Sequence, residues 1–523
     1  MQIIQTFKNK LTKLFQRSTL SLVSKSSKYD AWIKTHETPI NIKYIHENPF
    51  PYTPKISIIM PVWNTGERWL HFAIQSVINQ SYDNWELCIA DGHSTNPNIK
   101  KILQKYSKTD KRIKTIFLKE NAGIAGNTNE ALKLAEGTFV CFLDHDDELP
   151  SICLYEIIKL LNFDKKYDII YSDNDKIDEY GRRTDPFFKF DFSLPALLST
   201  NYPFHLFVCR KSLIDCVGGL RCGFEGAQDF DLILRVVERT NPQNIAHIDK
   251  ILYHWRMIHE SSAHSSSAKP YAYTAGKLAL QEYLVRNNII GTVDELEPGS
   301  YRVKKESPQD KNISIIITNA SEKNETFTQK LNSLLQITTY PISKLFVPKK
   351  YKDELIYPFV QVFNKNPFVY LKDICETENF DYLIIINDMG NFDESFMANP
   401  EWIQSLIEHY SHFNVGIVGT GSLVFSNIIC NIERPCGPVF CVKRNLITDF
   451  LNQQTNNLDF DELQIQISEF SERAGCSNLY TPFSLGNLPN YNRISQYYSN
   501  FKSRKYFTKN MEFYLHSYLI YNP

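Results

Sequence analysis

At 523 residues, with 43% hydrophobic and 22% charged side chains, the chain has the composition of a globular protein too long for one ordinary core. A net charge of −1 argues against a general nucleic-acid binder. Eleven cysteines without a C-x-x-C pair fit no common zinc framework and read as the reduced thiols of a cytoplasmic protein.

Residues 1–50 form a basic N-terminal segment. Its first 28 residues hold six Lys or Arg and no acid, and Ile3, Ile4, Phe7, Leu11, Leu14 and Phe15 recur at helical spacing. Such a helix lies on an anionic membrane surface or docks on the protein's own body. No apolar run approaches the roughly 20 residues of a membrane span, and the N-terminus has neither an h-region nor a small-residue cleavage site.

A domain is expected over 51–297. Lys55–Asn64 (KISIIMPVWN) predicts a buried strand, Glu67–Gln80 a helix, Trp85–Asp91 a second strand and Arg112–Leu118 a third. Asn121–Asn129 leads into a helix that Gly137 is expected to end. Phe139–Leu143 then runs straight into Asp144, His145, Asp146 and Asp147. A short continuous apolar run suits a strand buried on both faces. Its acids therefore fall at the sheet edge where open α/β sheets bind ligands. Two carboxylates one residue apart can share a hard divalent cation there; a solvated acidic loop is the other reading of an isolated D-x-D. The alternation predicts an α/β fold, a Rossmann-like, mostly parallel sheet with helices on both faces.

Further on, Asp168–Asp175 and Leu206–Lys211 read as strands, and Gly218–Asp231 opens a helix through Arg239. Ile251–Arg256 (ILYHWR) precedes a small-residue polar stretch, Ser261–Ala268, and Tyr271 to Arg286 reads as a closing helix. Residues 298–311 read as a linker. After them the pattern restarts: ISIIIT from Ile313 echoes ISIIMP from Ile56, YLIIIND from Tyr382 echoes the acidic strand, and VFCVKR from Val439 echoes LFVCRK from Leu206. Residues 312–490 are thus a shortened second copy of the fold. Where the first copy has Asp144 and Asp146 it has Asn387 and Met389, and around Phe460–Phe470 only Asp459 and Asp461 lie nearby. Residues 491–523 form an aromatic and basic tail suited to docking.

Residues 55–290 resemble the bacterial family 2 glycosyltransferases of GT-A fold, above all the tandem-domain type of O-antigen, lipopolysaccharide and capsule biosynthesis. The resemblance rests on ISIIMPVWN, SVINQSYDNWELCIADGHS, NAGIAGNTNEAL, LDHDDEL, IYSDNDKID, NYPFHL, EGAQDFDLILRV, LYHWR and AKPYAYTAG, in that order. It implies an inverting, metal-dependent enzyme moving a sugar from a nucleoside-diphosphate donor, a UDP-sugar foremost, to a glycan or lipid-linked saccharide acceptor. The setting implied is the cytoplasm or the cytoplasmic face of the inner membrane.

On that resemblance Pro61, Val62, Asn64, Asp91, Asn127, Asp144, His145 and Arg256 would meet the donor. Asp144, Asp146 and His254 would hold Mg²⁺ or Mn²⁺. Asp91 is otherwise a turn acid, Asn127 a cap, and His254 a ring packed on Trp255. Asp229 would be the base, with Glu225 and Gln228 on the acceptor side. Many members have Glu-Asp where this chain has Gln228–Asp229, which leaves the base in place and bears on acceptor orientation. A non-catalytic sugar-nucleotide or glycan-binding scaffold and a sugar nucleotidyltransferase are the competing classes. Against the latter, VWNTGERW after the first strand is no Gly-rich, basic phosphate loop.

Overall fold

The apolar runs become strands at the centre of two sheets. A computed structural model describes residues 29–37, 47–258, 270–319 and, with gaps, 324–480. Residues 1–28, Ser261–Ala268, Met389, Asp459 and the tail 491–523 lie outside the described residues. The chain divides into two compact units. The first runs to Phe192 and takes in Pro203–Gly276; the second is Ser193–Tyr202 with the chain from Lys277 on.

In the first unit the strands are β1 (Ile56–Val62), β2 (Trp85–Asp91), β3 (Ile113–Phe117), β4 (Phe139–Phe142), β5 (Ile169–Ile177), β6 (Arg183–Phe187), β7 (Phe207–Arg210) and β8 (Ile245–Arg256). Their order is β3-β2-β1-β4-β7-β5-β6, with β8 also paired to β5. β3, β2, β1 and β4 run parallel, as do β5 and β8, while β7 is antiparallel to both β4 and β5. The expected fold class is present. β1 and β2 are buried almost throughout, which is why their sequences show no polar alternation.

The sequence pattern leaves several helices of this unit unpredicted, two of them longer than ten residues. Pro97–Thr109 starts as Asn96 accepts the Asn98 N–H and Pro97 fills a position needing no donor. Cys153–Phe163 buries Leu154, Ile157, Ile158 and Leu161, an i, i+3, i+4, i+7 stripe. Gly137 does not end the helix before it, which closes at Leu132. A Cβ there would stand 2.7 Å from the Lys55 carbonyl and 2.8 Å from the Ser57 nitrogen, so glycine serves close backbone passage.

In the second unit, β9 (Gly291–Glu297) and β10 (Ser300–Lys305) form an antiparallel hairpin, so much of 298–311 is no linker. Tyr301, Val303 and Lys305 point inward while Ser300, Arg302 and Lys304 stay half-exposed, a period of two hidden among charges. The second sheet holds β11 (Ile313–Asn319), β12 (Lys344–Pro348), β13 (Val360–Phe363), β14 (Tyr382–Asn387), β15 (Val415–Gly419), β16 (Cys430–Asn431), β17 (Val439–Lys443) and β18 (Ser477–Tyr480).

The order of that sheet, β13-β12-β11-β14-β17-β15-β18-β16, repeats the first sheet's run through β15. β17 is antiparallel to β14 and β15, and β18 lies parallel to β15 as β8 does to β5. Alternate residues feed separate cores: Ile315, Leu345 and Ile384 enter one, and Ile316, Phe346 and Ile385 the other. Both faces of the sheet are thus covered. Among the described residues no helix is long and apolar enough to cross a membrane.

Candidate active site

The carboxyl ends of β1, β2 and β4 meet at one edge. Ile59 pairs with Phe142 and Val62 with Asp91, so Pro61, Asp91 and Asp144 emerge side by side. Asn64, at φ +48, takes the left-handed turn that Asn tolerates. Its Oδ1 accepts the Thr95 N–H (2.8 Å), its own N–H donates to Ser94 Oγ (3.0 Å), and Ser94 N–H donates to Asp91 Oδ1 (3.1 Å). Asp91 and Asn64 therefore lock two strand-end loops together. Asn127 is buried; its Oδ1 accepts the Ala122 N–H (3.1 Å) and its Nδ2 donates to Asn121 Oδ1 (2.8 Å). His145 Nδ1 lies 3.1 Å from the Pro61 carbonyl.

The acidic turn is held from β8. Asp147 is buried, its carboxylate accepting Tyr253 OH at 2.6 Å and the Arg256 N–H at 2.7 Å. Burial, joined by the charges of Asp146 and Asp144, pushes this carboxyl well above the usual range. Arg256, expected at a departing phosphate, is 1% exposed. It donates to the carbonyls of Asp146 (2.8 Å) and Asp178 (3.2 Å), pairs with Glu148 and lies 4.7 Å over the Trp69 ring. Its guanidinium is committed to bracing the turn. His254, expected on the metal, has Nδ1 2.5 Å from Asp175 Oδ1. Asp175 also accepts Tyr29 OH at 2.7 Å and Arg183 Nε at 2.5 Å. That tie reaches the helix 29–36, whose Trp32 packs on Phe188.

The donor set also differs from the expected one. Among the described residues, the one group of three whose ligand atoms lie within 4.8 Å of one another is Asp144, Asp147 and His205. Asp146 and His254 belong to no such group; Asp146 contributes its carbonyl to Arg256. Two carboxylates with an imidazole suit Mn²⁺, and Mg²⁺ less well. Burial, with the Lys189 charge behind it, pushes the His205 imidazole well below its usual pKa. These residues fit a divalent cation.

Opposite stands the helix Gln228–Val237. It follows a turn with Gly218, Gly219, Gly223 and Gly226 all at positive φ, and Gln228 Oε1 accepts the Gly226 N–H at 2.7 Å. Asp229 and Asp144 line one cavity with Pro61, Thr128, Phe204 and Gln228. The rival acids are engaged elsewhere. Asp231, 0% exposed, takes Arg235 Nη2 at 2.7 Å and the Arg221 guanidinium; exposed Glu225 accepts the Gly223 N–H at 3.0 Å.

Asp147, Tyr253, Phe204 and His205 escaped the sequence reading. Asp147 directly follows the D-x-D, but nothing local says that it turns inward. His205 lay inside NYPFHL, a motif carrying no chemical signature.

An α/β sheet of this order, with acids at its carboxyl edge and a facing carboxylate on a helix, is the architecture of a GT-A-type domain. Residues 57–218 match Glycosyl transferase family 2, so this stretch carries a glycosyltransferase domain of that family. It is 38% identical over 300 residues to an uncharacterized protein of Sinorhizobium fredii, covering 56% of this chain and 32% of that one. It is 30% identical over 407 residues to the O-antigen biosynthesis protein RfbC of Myxococcus xanthus, covering 75% of this chain and 31% of that one. The chain thus spans about a third of the length of these relatives. A crystal structure of S. aureus TarS aligns over 44% of this chain and 65% of that one, with 20% identity and a TM-score of 0.35.

Proposed function

We propose that the first unit transfers a sugar, with inversion, from a nucleoside-diphosphate donor to a hydroxyl of a glycan or lipid-linked saccharide in bacterial surface-polysaccharide assembly. A UDP-sugar is the donor we favour. The observation that carries the reading is the shared cavity of Asp144 and Asp229. One carboxylate stands on the donor side and one on the acceptor side, as a single displacement requires.

In this reading the strand-end loops of Pro61–Asn64 and Asp91 hold the nucleoside. Asp144 and His205, with Asp147 beside them, hold Mn²⁺ or Mg²⁺. A cation held there would supply positive charge to stabilise a diphosphate leaving group. Asp229 draws the proton from the acceptor hydroxyl as its oxygen attacks the anomeric carbon from the face opposite the leaving diphosphate. Gln228 flanks that approach. Asp147 and Arg256 act on the turn instead of the substrate, one by orienting it and the other by bracing it. The second unit, with Asn387 where the first has Asp144, serves acceptor binding or stability and performs no transfer.

The test is calorimetry of donor binding with and without Mn²⁺, across UDP-, GDP-, CDP- and dTDP-sugars, with the anomeric configuration of the product read by NMR. Asp144→Ala should abolish metal-dependent donor binding while the fold persists. Unchanged affinity in that variant overturns the metal assignment, and a retained anomeric configuration overturns the displacement.

A further inference from the structure

One buried cation beside the site has no part in this chemistry. Lys189 follows β6 and is 0% exposed. Its Nζ donates to three main-chain carbonyls, those of Ser172 (2.5 Å), Phe204 (2.6 Å) and His205 (2.5 Å). An ammonium has three hydrogens, and here each has an acceptor. Burying a charge costs several kcal/mol on the general scale unless it is satisfied in this way. Asp173, also 0% exposed, uses its Oδ1 to accept the Lys189 main-chain N–H at 2.7 Å and lies 2.8 Å from His247 Nε2. The lysine head is therefore spent on backbone, and two of its three acceptors are consecutive residues leading into β7.

Those two residues matter to the site. Phe204 lines the cavity shared by Asp144 and Asp229, and His205 completes the set with Asp144 and Asp147. His205 stands at φ +52, where a non-glycine residue persists only if its surroundings over-determine it. Its ring lies 4.6 Å from that of Tyr253, whose hydroxyl holds Asp147. The ring is thus fixed from one side by Tyr253 and the main chain from the other by Lys189.

We propose that Lys189 is a positioning residue for the metal site, clamping the Phe204 and His205 carbonyls so that the His205 imidazole stays within ligand distance of Asp144 and Asp147. The inference rests on the metal reading of that site. Its test is Mn²⁺ affinity of the full chain, measured by electron paramagnetic resonance of free Mn²⁺ without nucleotide or acceptor, so that turnover plays no part. Lys189→Met should bind Mn²⁺ about 10- to 100-fold more weakly, the loss usual when a ligand's supporting partner is removed. His205→Ala should lose a similar factor, and the double variant should be no weaker than His205→Ala alone.

A lysine that merely stabilises the fold would lower the melting temperature and leave Mn²⁺ affinity unchanged, or add its loss to that of His205→Ala; either outcome overturns the inference. If Lys189→Met does not fold, Lys189→Gln, which retains an amide donor, replaces it: weaker Mn²⁺ binding supports the clamp and unchanged binding overturns it. Absence of Mn²⁺ binding by the unaltered chain overturns the metal reading and the clamp together. Binding that Asp144→Ala abolishes and Lys189→Met leaves intact overturns the clamp alone.

Discussion

Two acids on one helix turn, Asp229 and Asp231, should separate chemistry from stability. Asp231→Asn removes a carboxylate that is 0% exposed and receives the forks of Arg221 and Arg235. Removing one partner of a buried ion pair costs about 3–5 kcal/mol. The lower end applies, because Arg235 keeps the Val217 and Gly219 carbonyls and Arg221 is 35% exposed and reaches solvent. At about 3 kcal/mol the melting temperature should fall by about 6–12 °C, while turnover per folded molecule stays near normal. Burial presses the Asp231 carboxyl up, but the hydrogen bonds and charges of Arg221 and Arg235 outweigh it and hold the pKa below the ordinary value. Its share of stability is therefore whole above about pH 4 and is lost as pH falls through the lower folded value, so the Asn deficit should shrink there. Asp229→Asn should do the reverse: less than about 1 kcal/mol of stability lost, and nucleotide release with acceptor reduced about 10²- to 10⁴-fold while donor still binds. Scanning calorimetry and single-turnover release read both. An Asp231→Asn protein that melts normally and does not turn over would refute the assignment.

The central strands were legible because burial on both faces removes polar residues from the run, so β1, β2 and β4 announce themselves. Their order was not legible; repetition shows only that the two halves share it, since ISIIMP and ISIIIT mark β1 and β11 and the two sheets have one order through β15. Position along a strand pointed to the acids near the edge, since Asp144 lies two residues past the end of β4. It did not predict which carboxylates converge. Spacing and resemblance point to Asp144 and Asp146 together; they give no hint that Asp147 turns inward, because its partners, Tyr253 and the Arg256 N–H, lie about a hundred residues downstream. Contacts of that sequence separation leave no periodic trace. Arg256 shows the same limit: an arginine near a diphosphate site suggests phosphate, but full burial against Trp69 and two carbonyls commits it to the turn. His205 and Lys189 were invisible for a related reason, since a histidine in a loop and a lysine after a strand acquire their chemistry only when three carbonyls and two acids are folded around them.

Arg256→Met should weaken Mn²⁺ binding about 10- to 100-fold by freeing the acidic turn, as measured by calorimetry; unchanged affinity would show that the turn holds itself. The basic stretch 1–28 is expected to attach the chain to anionic vesicles with steep salt dependence, at about 1 kcal/mol per basic residue near the surface. The comparison is a chain beginning at Tyr29, which keeps the helix bonded to Asp175 and Arg183; equal partitioning would dismiss the anchor. The last expectation is one tight metal-dependent donor site per chain. Tyr382 pairs with Ile313 as Phe139 pairs with Ile56, so Asn387 falls where Asp144 does. Its Oδ1 already accepts Thr318 Oγ1 at 3.1 Å, and a neutral amide cannot replace the charge of a carboxylate. Among the described residues, the one three-ligand group belongs to the first unit. Titration of the chain with Mn²⁺ and donor together should therefore reach a stoichiometry near one and fall to zero in Asp144→Ala. A second tight site that survives Asp144→Ala would place metal chemistry in the second unit and end the view that its copy of the fold has lost it.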